Sequence, residues 1–411
     1  MLIKTKIPLA FLTLSLMITF SQSTFADAEQ RRQAKRIHDR LTGVPPSENV
    51  LNEMEILLAT NSDGKSAAEK ALENDAFYNV TLKNFVAPWT NEEQTVFTPL
   101  NDYTATVIGM IRDDIDFREV LYGNVLYTGN NSPAYSNTNN QHYEALEALG
   151  PVVGNLADDT ILIKQTQSVI TGLNSSATAG IMTSRAASRA YFVLGTNRAM
   201  FRFTLINHLC TDLEPLKDNS RIPDRVRQDV SRSPGGDSRI YLNSCVGCHA
   251  GMDGMMGAFA HYELDFAEDG NGNLIEDTAQ LEYDNSSVQG KYLINKNNFE
   301  PGHVTIDESW INYWRNGQNA LLGWSPSYPG LVLDEKGHAI GNGAKSLGQE
   351  LANSNAFAQC QVKKVFQTVC LREPGNTADR SEVNGIVTDF KSGGYQMKQV
   401  FRDVAAYCKG N

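Results

Sequence analysis

Two cysteines and one histidine near the middle of the chain have side chains and a spacing suited to shared chemistry. Cys245, Cys248 and His249 follow the order Cys-x-x-Cys-His. In one helical turn, residues three and four apart lie on the same face. Two thiols on that face can form thioethers with the two vinyl groups of a haem, while the imidazole binds the iron as proximal ligand. We therefore predict one covalently attached haem c, with His249 as an iron ligand.

Two thiols at this spacing also occur in disulfides, zinc sites and thiol redox motifs. A zinc site would require a second Cys or His pair at close spacing, which the sequence lacks. A thioredoxin-like motif has no need of the following histidine. In an exported chain, the histidine directly after the second cysteine favours haem attachment over these alternatives.

The second axial ligand of such a haem is less well marked than the first. Small class I cytochromes c use a methionine several tens of residues after the histidine, but no methionine occurs between Met256 and Met397. His303 lies at a compatible distance along the chain, so we predict iron coordination by His249 and His303. An open or water-ligated iron is an alternative, and it would admit peroxide, oxygen or nitric oxide. The other candidate ligands are Met397, His261 and His338.

Residues on both sides of the motif are expected to surround the haem. Arg232 and Arg239 precede it, and the planar guanidinium group suits the carboxylates of the haem propionates. The alternative is a solvated loop whose arginines pair with surplus acidic groups. Three methionines follow the motif too closely to reach the opposite face of the haem, and we expect them to pack around its edge. They are Met252, Met255 and Met256.

The N-terminus has the features of an export signal. Lys4 and Lys6 form a basic region, residues 7–20 are an apolar run, and Ala26 ends a small-residue cleavage site. We predict a signal peptide over 1–26 and a periplasmic mature protein. An uncleaved anchor is the alternative, but the run is short for a membrane span of about 20 residues. Charges or amides interrupt every later apolar stretch, so no span is predicted in the mature chain.

The chain is acidic, with a formal net charge of −11 over 411 residues. Such a charge disfavours binding to nucleic acid or to an anionic membrane surface. It suits a basic redox partner, although a solvating surface is the commoner reason for an acidic protein. We predict a basic partner protein and no nucleic acid.

Hydrophobic periodicity predicts a mainly α fold. We place a multi-helix N-terminal domain at 27–205 and a c-type cytochrome-like haem domain with a small hairpin at 206–345. A helical C-terminal domain is predicted at 346–411. The hairpin turn is expected at 269–273, where the Asn-Gly steps are typical of turns and the final Glu of an EF-hand calcium loop is missing.

Four expectations concern local structure. The Gly- and Asn-rich segment 122–141 predicts a long irregular loop. Apolar periodicity predicts continuous helical regions over 186–209 and 346–371. Trp310 and Trp314 are four residues apart and are expected on a helix that begins near residue 307, where they could wall the haem pocket or pack in the core.

Four cysteines remain outside the motif. In an oxidising compartment, four thiols usually form two disulfides. Three pairings are possible, and the spacing does not choose among them. The four are Cys210, Cys360, Cys370 and Cys408.

Most of the mature chain resembles the planctomycete-type cytochrome c-like haem-binding proteins, a bacterial family of tandem domains of unknown function with a single Cys-x-x-Cys-His motif. The likeness is carried by Arg-Leu-Thr-Gly-Val-Pro-Pro at 40–46, Asn-His-Leu-Cys at 207–210, the haem motif with Gly-Met-Asp at 251–253 and Gly-Ala-Phe-Ala at 257–260, Ala-Phe-Ala-Gln-Cys at 356–360 and Ser-Gly-Gly-Tyr at 392–395. The relatives usually place an apolar branched residue and a proline around 252–254, where this chain has Met-Asp-Gly.

The resemblance implies haem binding and export, and it supplies no reaction. In the family, the cysteine before the haem segment and the one in the Phe-Ala-x-Cys stretch occur together. That pattern implies a Cys210–Cys360 disulfide, which leaves Cys370–Cys408 as the second bridge.

Three functions are compatible with one attached haem. The first is electron transfer in the periplasm by an iron that changes its charge by one electron. The second is a haem oxidoreductase, peroxidase- or oxygenase-like, with an open distal iron site. The third is a sensor or an assembly subunit in which haem is structural. The long N-terminal region exceeds what a simple carrier needs, so the second and third stay open.

Overall fold

The computed structural model describes residues 28–192, 196–226, 238–275, 278–293 and 303–410. About 55% of the structure is helical and 8% is strand, which confirms the prediction of a mainly α protein. The predicted signal peptide and Arg232 lie outside the described residues.

Five helices build the N-terminal part of the molecule. They are α1 (residues 28–42), α2 (Glu48–Thr60), α3 (Lys65–Leu72), α4 (Lys83–Val86) and α5 (Asp102–Arg112), with a π-helical turn at Phe77–Leu82 before α4. Two of these helices, α2 and α5, have a short polar side chain as N-terminal cap. Ser47 accepts a hydrogen bond from the amide of Val50 at the start of α2, and Asn101 accepts one from the amide of Thr104 at the start of α5. These caps satisfy amide donors that have no partner inside the helix.

A small antiparallel sheet follows α5, so the prediction of a wholly irregular loop over 122–141 is wrong. Strand β1 is Val125–Gly129, and it pairs with β2, Leu162–Thr166. The ring of Tyr127 packs against Gly109 of α5, which has no side chain in the way. Burial of this short apolar strand outweighs the turn propensity of its Gly- and Asn-rich neighbours. The helices around the strands are α6 (Gln141–Ala148), α7 (Gly150–Val153), α8 (Gln167–Thr171) and α9 (Arg185–Tyr191).

Both long helical regions predicted from periodicity are interrupted. The first divides into α9 and α10, Arg198–Leu209, and the residue before α10 is Asn197 with a left-handed φ of +58°. The Asn197 side chain donates hydrogen bonds to the backbone carbonyls of Phe259 and Tyr262. This tertiary contact holds a conformation that a continuing helix could not adopt.

The second interrupted region lies near the C-terminus. It divides into α13, Gly343–Ala352, and α14, Asn355–Cys370. Ser354 separates them, because its side chain accepts from the amide of Phe357 and caps α14. Two more helices complete the chain, α15 (Thr377–Ser392) and α16 (Met397–Tyr407).

The haem motif lies in the central part of the molecule. The short helix α11 (Ser238–Ile240) and a π-helical segment, Tyr241–Cys245, lead into α12, Val246–Met256. A small antiparallel hairpin follows, with β3 at Tyr262–Asp265 and β4 at Gln280–Tyr283. The turn predicted at 269–273 lies between these strands.

The prediction of a helix that begins near residue 307 is wrong, because this segment forms a strand. Strand β5, Ser309–Asn312, pairs with β7, Ala339–Asn342, and β7 pairs with β6, Val332–Leu333. Trp310 lies opposite Gly341 in this sheet, and Trp314 lies in the 3-10 turn after β5. Pairing with a strand distant in sequence overrides the local i, i+4 pattern of the two tryptophans.

One apolar core includes residues from all three predicted domains. Phe77, Met255 and Phe401 are completely buried members of it. Helix α16 packs against α3 and α14, while α10 packs against both α12 and α14. Across the described ranges, every helix is too short or too polar to cross a lipid bilayer.

Two disulfides join distant parts of this core. Cys210, at the end of α10, is bonded to Cys360 on α14, and Cys370 is bonded to Cys408 after α16. Both pairs are those implied by the family resemblance, so the predicted disulfide pairing is confirmed. The bonded partners are 150 and 38 residues apart, respectively.

We expect the Cys210→Ala, Cys360→Ala variant to lose about 2–5 kcal/mol of unfolding free energy, because its bridge restricts a long loop in the unfolded chain. Urea unfolding followed by circular dichroism measures the loss. Cys370→Ala with Cys408→Ala is the matched control and should lose less, since its loop is shorter. An equal or larger loss in the control would contradict this loop-length argument.

Candidate functional site

The three motif residues lie at the start of α12 and in the π-helical segment just before it. Cys245 ends the π-helical segment, and Cys248 and His249 follow within the first turn of the helix. All three are partly exposed, whereas Val246 and Ala250 are buried. Both thiols and the imidazole are therefore partly accessible to solvent around the first turn of α12.

Glycines allow the opposite side of α12 to pack closely against the rest of the protein. A side chain at Gly247 would collide with Asn219, and one at Gly251 would collide with the indole nitrogen of Trp314. A side chain at Gly254 would press on the backbone oxygen of Ile311. These contacts fix which face of α12 points outward, because even a methyl group would displace the helix.

Both motif thiols are free in the structure. Cys245 and Cys248 form no disulfide, so the simplest alternative use of the motif is not observed. The Cys248 thiol donates a weak hydrogen bond to the carbonyl of Leu213 at 3.6 Å. Burial raises the pKa of Cys248 above its ordinary value, so this group remains a neutral thiol near pH 7.

The imidazole of His249 is held through one of its two nitrogens. Nδ1 lies 3.1 Å and 3.3 Å from the two carboxylate oxygens of Asp253. An ionised carboxylate can only accept a hydrogen bond, so Nδ1 is the protonated donor. The other nitrogen, Nε2, is then left with a lone pair for a metal.

Asp253 is in turn held by an arginine from α10. Arg198 Nε lies 2.9 Å from Oδ1 and Nη2 lies 3.0 Å from Oδ2, a bidentate pair with a fully buried carboxylate. Burial alone would raise the pKa of Asp253, but the Arg198 charge and hydrogen bonds from His249 and Arg198 lower that pKa to about 2. The sequence prediction included neither residue. The i, i+4 spacing from His249 could have indicated Asp253, whereas nothing in the sequence links Arg198 to it.

A cavity of about 380 Å³ lies beside Asp253. Asp253, Arg225 and the predicted ligand His303 all line it. Asp253 faces the Nδ1 edge of the His249 ring, whereas an iron would bind at Nε2. The structure thus brings His303 to a cavity shared with the carboxylate partner of His249.

The other predicted site residues are more dispersed. Arg239 is exposed just before the motif, and Arg232 lies outside the described ranges. Met252, Met255 and Met256 are buried in the main core. Met397, a candidate ligand, is buried on α16, which packs on α3 and α14. Within the described part of the chain, no group of three or more His, Cys, Asp or Glu side chains is arranged to hold a metal ion.

Part of the surroundings of the motif is apolar. Val226, Tyr241 and Val246 form a small apolar cluster separate from the main core, and Cys245 packs against it. Leu242 of the π-helical segment is 56% exposed. A haem joined to the two thiols would therefore meet apolar side chains on this face, and His249 would offer its free Nε2.

No family model, curated protein or solved structure matches this chain.

Proposed function

We propose that this protein is an exported monohaem c-type cytochrome that transfers electrons in the periplasm. The observation that carries the proposal is the partial exposure of Cys245, Cys248 and His249 together at the start of α12. Two thiols and a nitrogen ligand at this spacing are what covalent haem attachment requires. The resemblance to planctomycete-type cytochrome c-like proteins supports the same assignment.

Each site residue has a separate task in this proposal. A bound haem supplies an iron that accepts or gives one electron. Cys245 and Cys248 hold the haem by thioethers, and His249 binds it through Nε2. Asp253 keeps the imidazole in the required tautomer and orientation. Arg239 is the proposed propionate partner that lies within the described residues, and Arg232 is proposed from sequence alone.

Two further properties support export and electron transfer. Two disulfides are typical of proteins that mature in an oxidising compartment. A net charge of −11 would attract a basic redox partner at low ionic strength. We propose the periplasm as the location and a basic protein as the partner.

A second candidate function is a haem oxidoreductase with an open iron position. The position of His303 favours it, because His303 and Asp253 line one cavity and Asp253 faces the ring edge of His249 opposite Nε2. A His303 side chain on that edge would leave the sixth coordination position of the iron open. Peroxide or oxygen could then reach the metal.

The ferric absorption and EPR spectra distinguish the two candidates. For protein matured in a cytochrome c-competent periplasm, electron transfer with His303 as second ligand predicts a low-spin parent and a high-spin His303→Ala variant. His142→Ala is the matched control, because the ring nitrogens of His142 contact the Gly129 amide and the Pro133 carbonyl, and its replacement should leave the spectrum unchanged. A high-spin parent would reject His303 as ligand and support the oxidoreductase.

A further inference from the structure

A series of hydrogen bonds connects the motif to a neighbouring helix, from Arg198 through Asp253 to His249. The Asp253 carboxylate is completely shielded from solvent, while the imidazole it contacts is 18% exposed. These contacts therefore link the partly exposed imidazole of His249 to the buried carboxylate of Asp253. Exposed i, i+4 ion pairs are weak because water screens them, but a buried carboxylate is not screened in this way.

We propose that Asp253 is a positioning residue that gives the proximal His249 a carboxylate partner and thereby lowers the reduction potential of the attached haem. The inference rests on the proposed haem attachment. It adds a determinant of the redox chemistry, which the motif alone does not specify.

The hydrogen-bond geometry supports an anionic partner rather than a neutral one. Arg198 binds both carboxylate oxygens from the α10 side, and His249 approaches both of them from within α12. Arginine remains charged at all physiological pH values, and its bidentate contact stabilises the ionised carboxylate. The Nδ1–H of His249 thus donates to an oxygen that carries negative charge.

A negatively charged acceptor on Nδ1 makes the imidazole a more basic ligand. Stronger electron donation to the iron stabilises its ferric state relative to its ferrous state. A backbone carbonyl or a water at the same position would have a smaller effect, since neither carries a full charge. The expected result is a reduction potential below that of the same site with a neutral partner.

An alternative role for Asp253 is purely structural, because its carboxylate joins α10 to α12. In that case Asp253 would stabilise the fold without affecting the iron. The pair Arg372–Asp379 provides a matched comparison, since Asp379 is a buried carboxylate that accepts hydrogen bonds from Nη1 and Nη2 of Arg372. It lies at the start of α15, away from the motif.

The test compares Asp253→Asn with Asp379→Asn in protein carrying covalent haem. Asparagine can still accept the Nδ1 hydrogen bond, but it is neutral. We expect Asp253→Asn to shift the ferric/ferrous equilibrium about tenfold toward ferrous, which is a rise of about 59 mV for one electron. The iron–histidine stretching frequency in resonance Raman spectra of ferrous protein should fall in parallel, if the iron is five-coordinate. Asp379→Asn should leave both quantities unchanged.

Asp253→Asn leaves Arg198 without a charged partner, which could prevent folding. A second variant therefore combines Asp253→Asn with Arg198→Gln and removes both charges of the pair. A rise in potential is expected for the double variant as well, smaller than that of Asp253→Asn alone because the positive charge of Arg198 is also removed. An unchanged potential in a folded, haem-loaded variant would overturn the role of Asp253 and leave the proposed cytochrome intact. Absence of haem from the parent protein on a denaturing gel would instead overturn the proposed function.

Discussion

Replacement of Cys245 and Cys248 by alanine is expected to abolish covalent haem attachment completely. Each thiol supplies one thioether, and the other four cysteines are already bonded to one another. No spare thiol remains to take over the role. Haem staining after denaturing gel electrophoresis and the mass of the intact protein measure the result, with the variant lacking the mass of one haem.

Single variants and a disulfide variant make this test specific. Cys245→Ala alone should retain haem through one thioether, and its ferrous absorption band should shift because one vinyl group stays unsaturated. Cys370→Ala with Cys408→Ala also removes two cysteines but leaves the motif whole, so its haem content per folded protein should equal that of the parent. Haem that survives denaturation in the Cys245→Ala, Cys248→Ala variant would refute covalent attachment at this motif.

The second large effect is expected at Glu350 of α13, a buried carboxylate under the β5 segment. Its side chain is fully buried, and Arg315 binds it at 2.8 Å and 2.6 Å through Nε and Nη2. Asn312 and Tyr328 donate to the same carboxylate. Glu350→Ala would leave a nearly buried guanidinium without its partner, and we expect a loss of about 3–5 kcal/mol of unfolding free energy.

Chemical denaturation of Glu350→Ala alongside Glu335→Ala measures this loss against a suitable control. Glu335 is exposed in the loop between β6 and β7, so its replacement should change stability by less than about 0.5 kcal/mol. Glu350→Gln keeps the shape of the side chain and should fall between the two. Equal stabilities for the Glu350→Ala and Glu335→Ala variants would show that the buried pair contributes nothing.

The sequence indicates which motif residues lie near one another, but it does not indicate which distant residues contact them. A spacing of three and four residues is a local property, so Cys245, Cys248 and His249 could be placed together without knowledge of the fold. Arg198 reaches Asp253 across 55 residues of sequence, and no periodicity records such a contact. Asp253 was within reach of sequence reasoning as the i+4 neighbour of His249.

The local differences between the predicted and the observed secondary structure have a common physical cause. Trp310 belongs to β5 because it pairs across the sheet with Gly341, although its spacing to Trp314 suits a helix. Asn197 interrupts a helical pattern because its side chain satisfies distant carbonyls. Tertiary contacts outweighed local propensity in both cases. The two disulfides are the predicted pairs, although the spacing of the four cysteines alone left three pairings open.

In the proposed cytochrome, the glycine contacts of α12 would affect the rate of electron exchange. If a metal ligand moves when the metal gains an electron, the reorganisation energy adds to the barrier for each electron transfer. Gly247, Gly251 and Gly254 let the helix lie directly on Asn219, Trp314 and Ile311, and close-packed interiors resist displacement. Close packing of the helix that carries His249 would limit its displacement when the charge of an attached iron changes, and this would keep the reorganisation energy low.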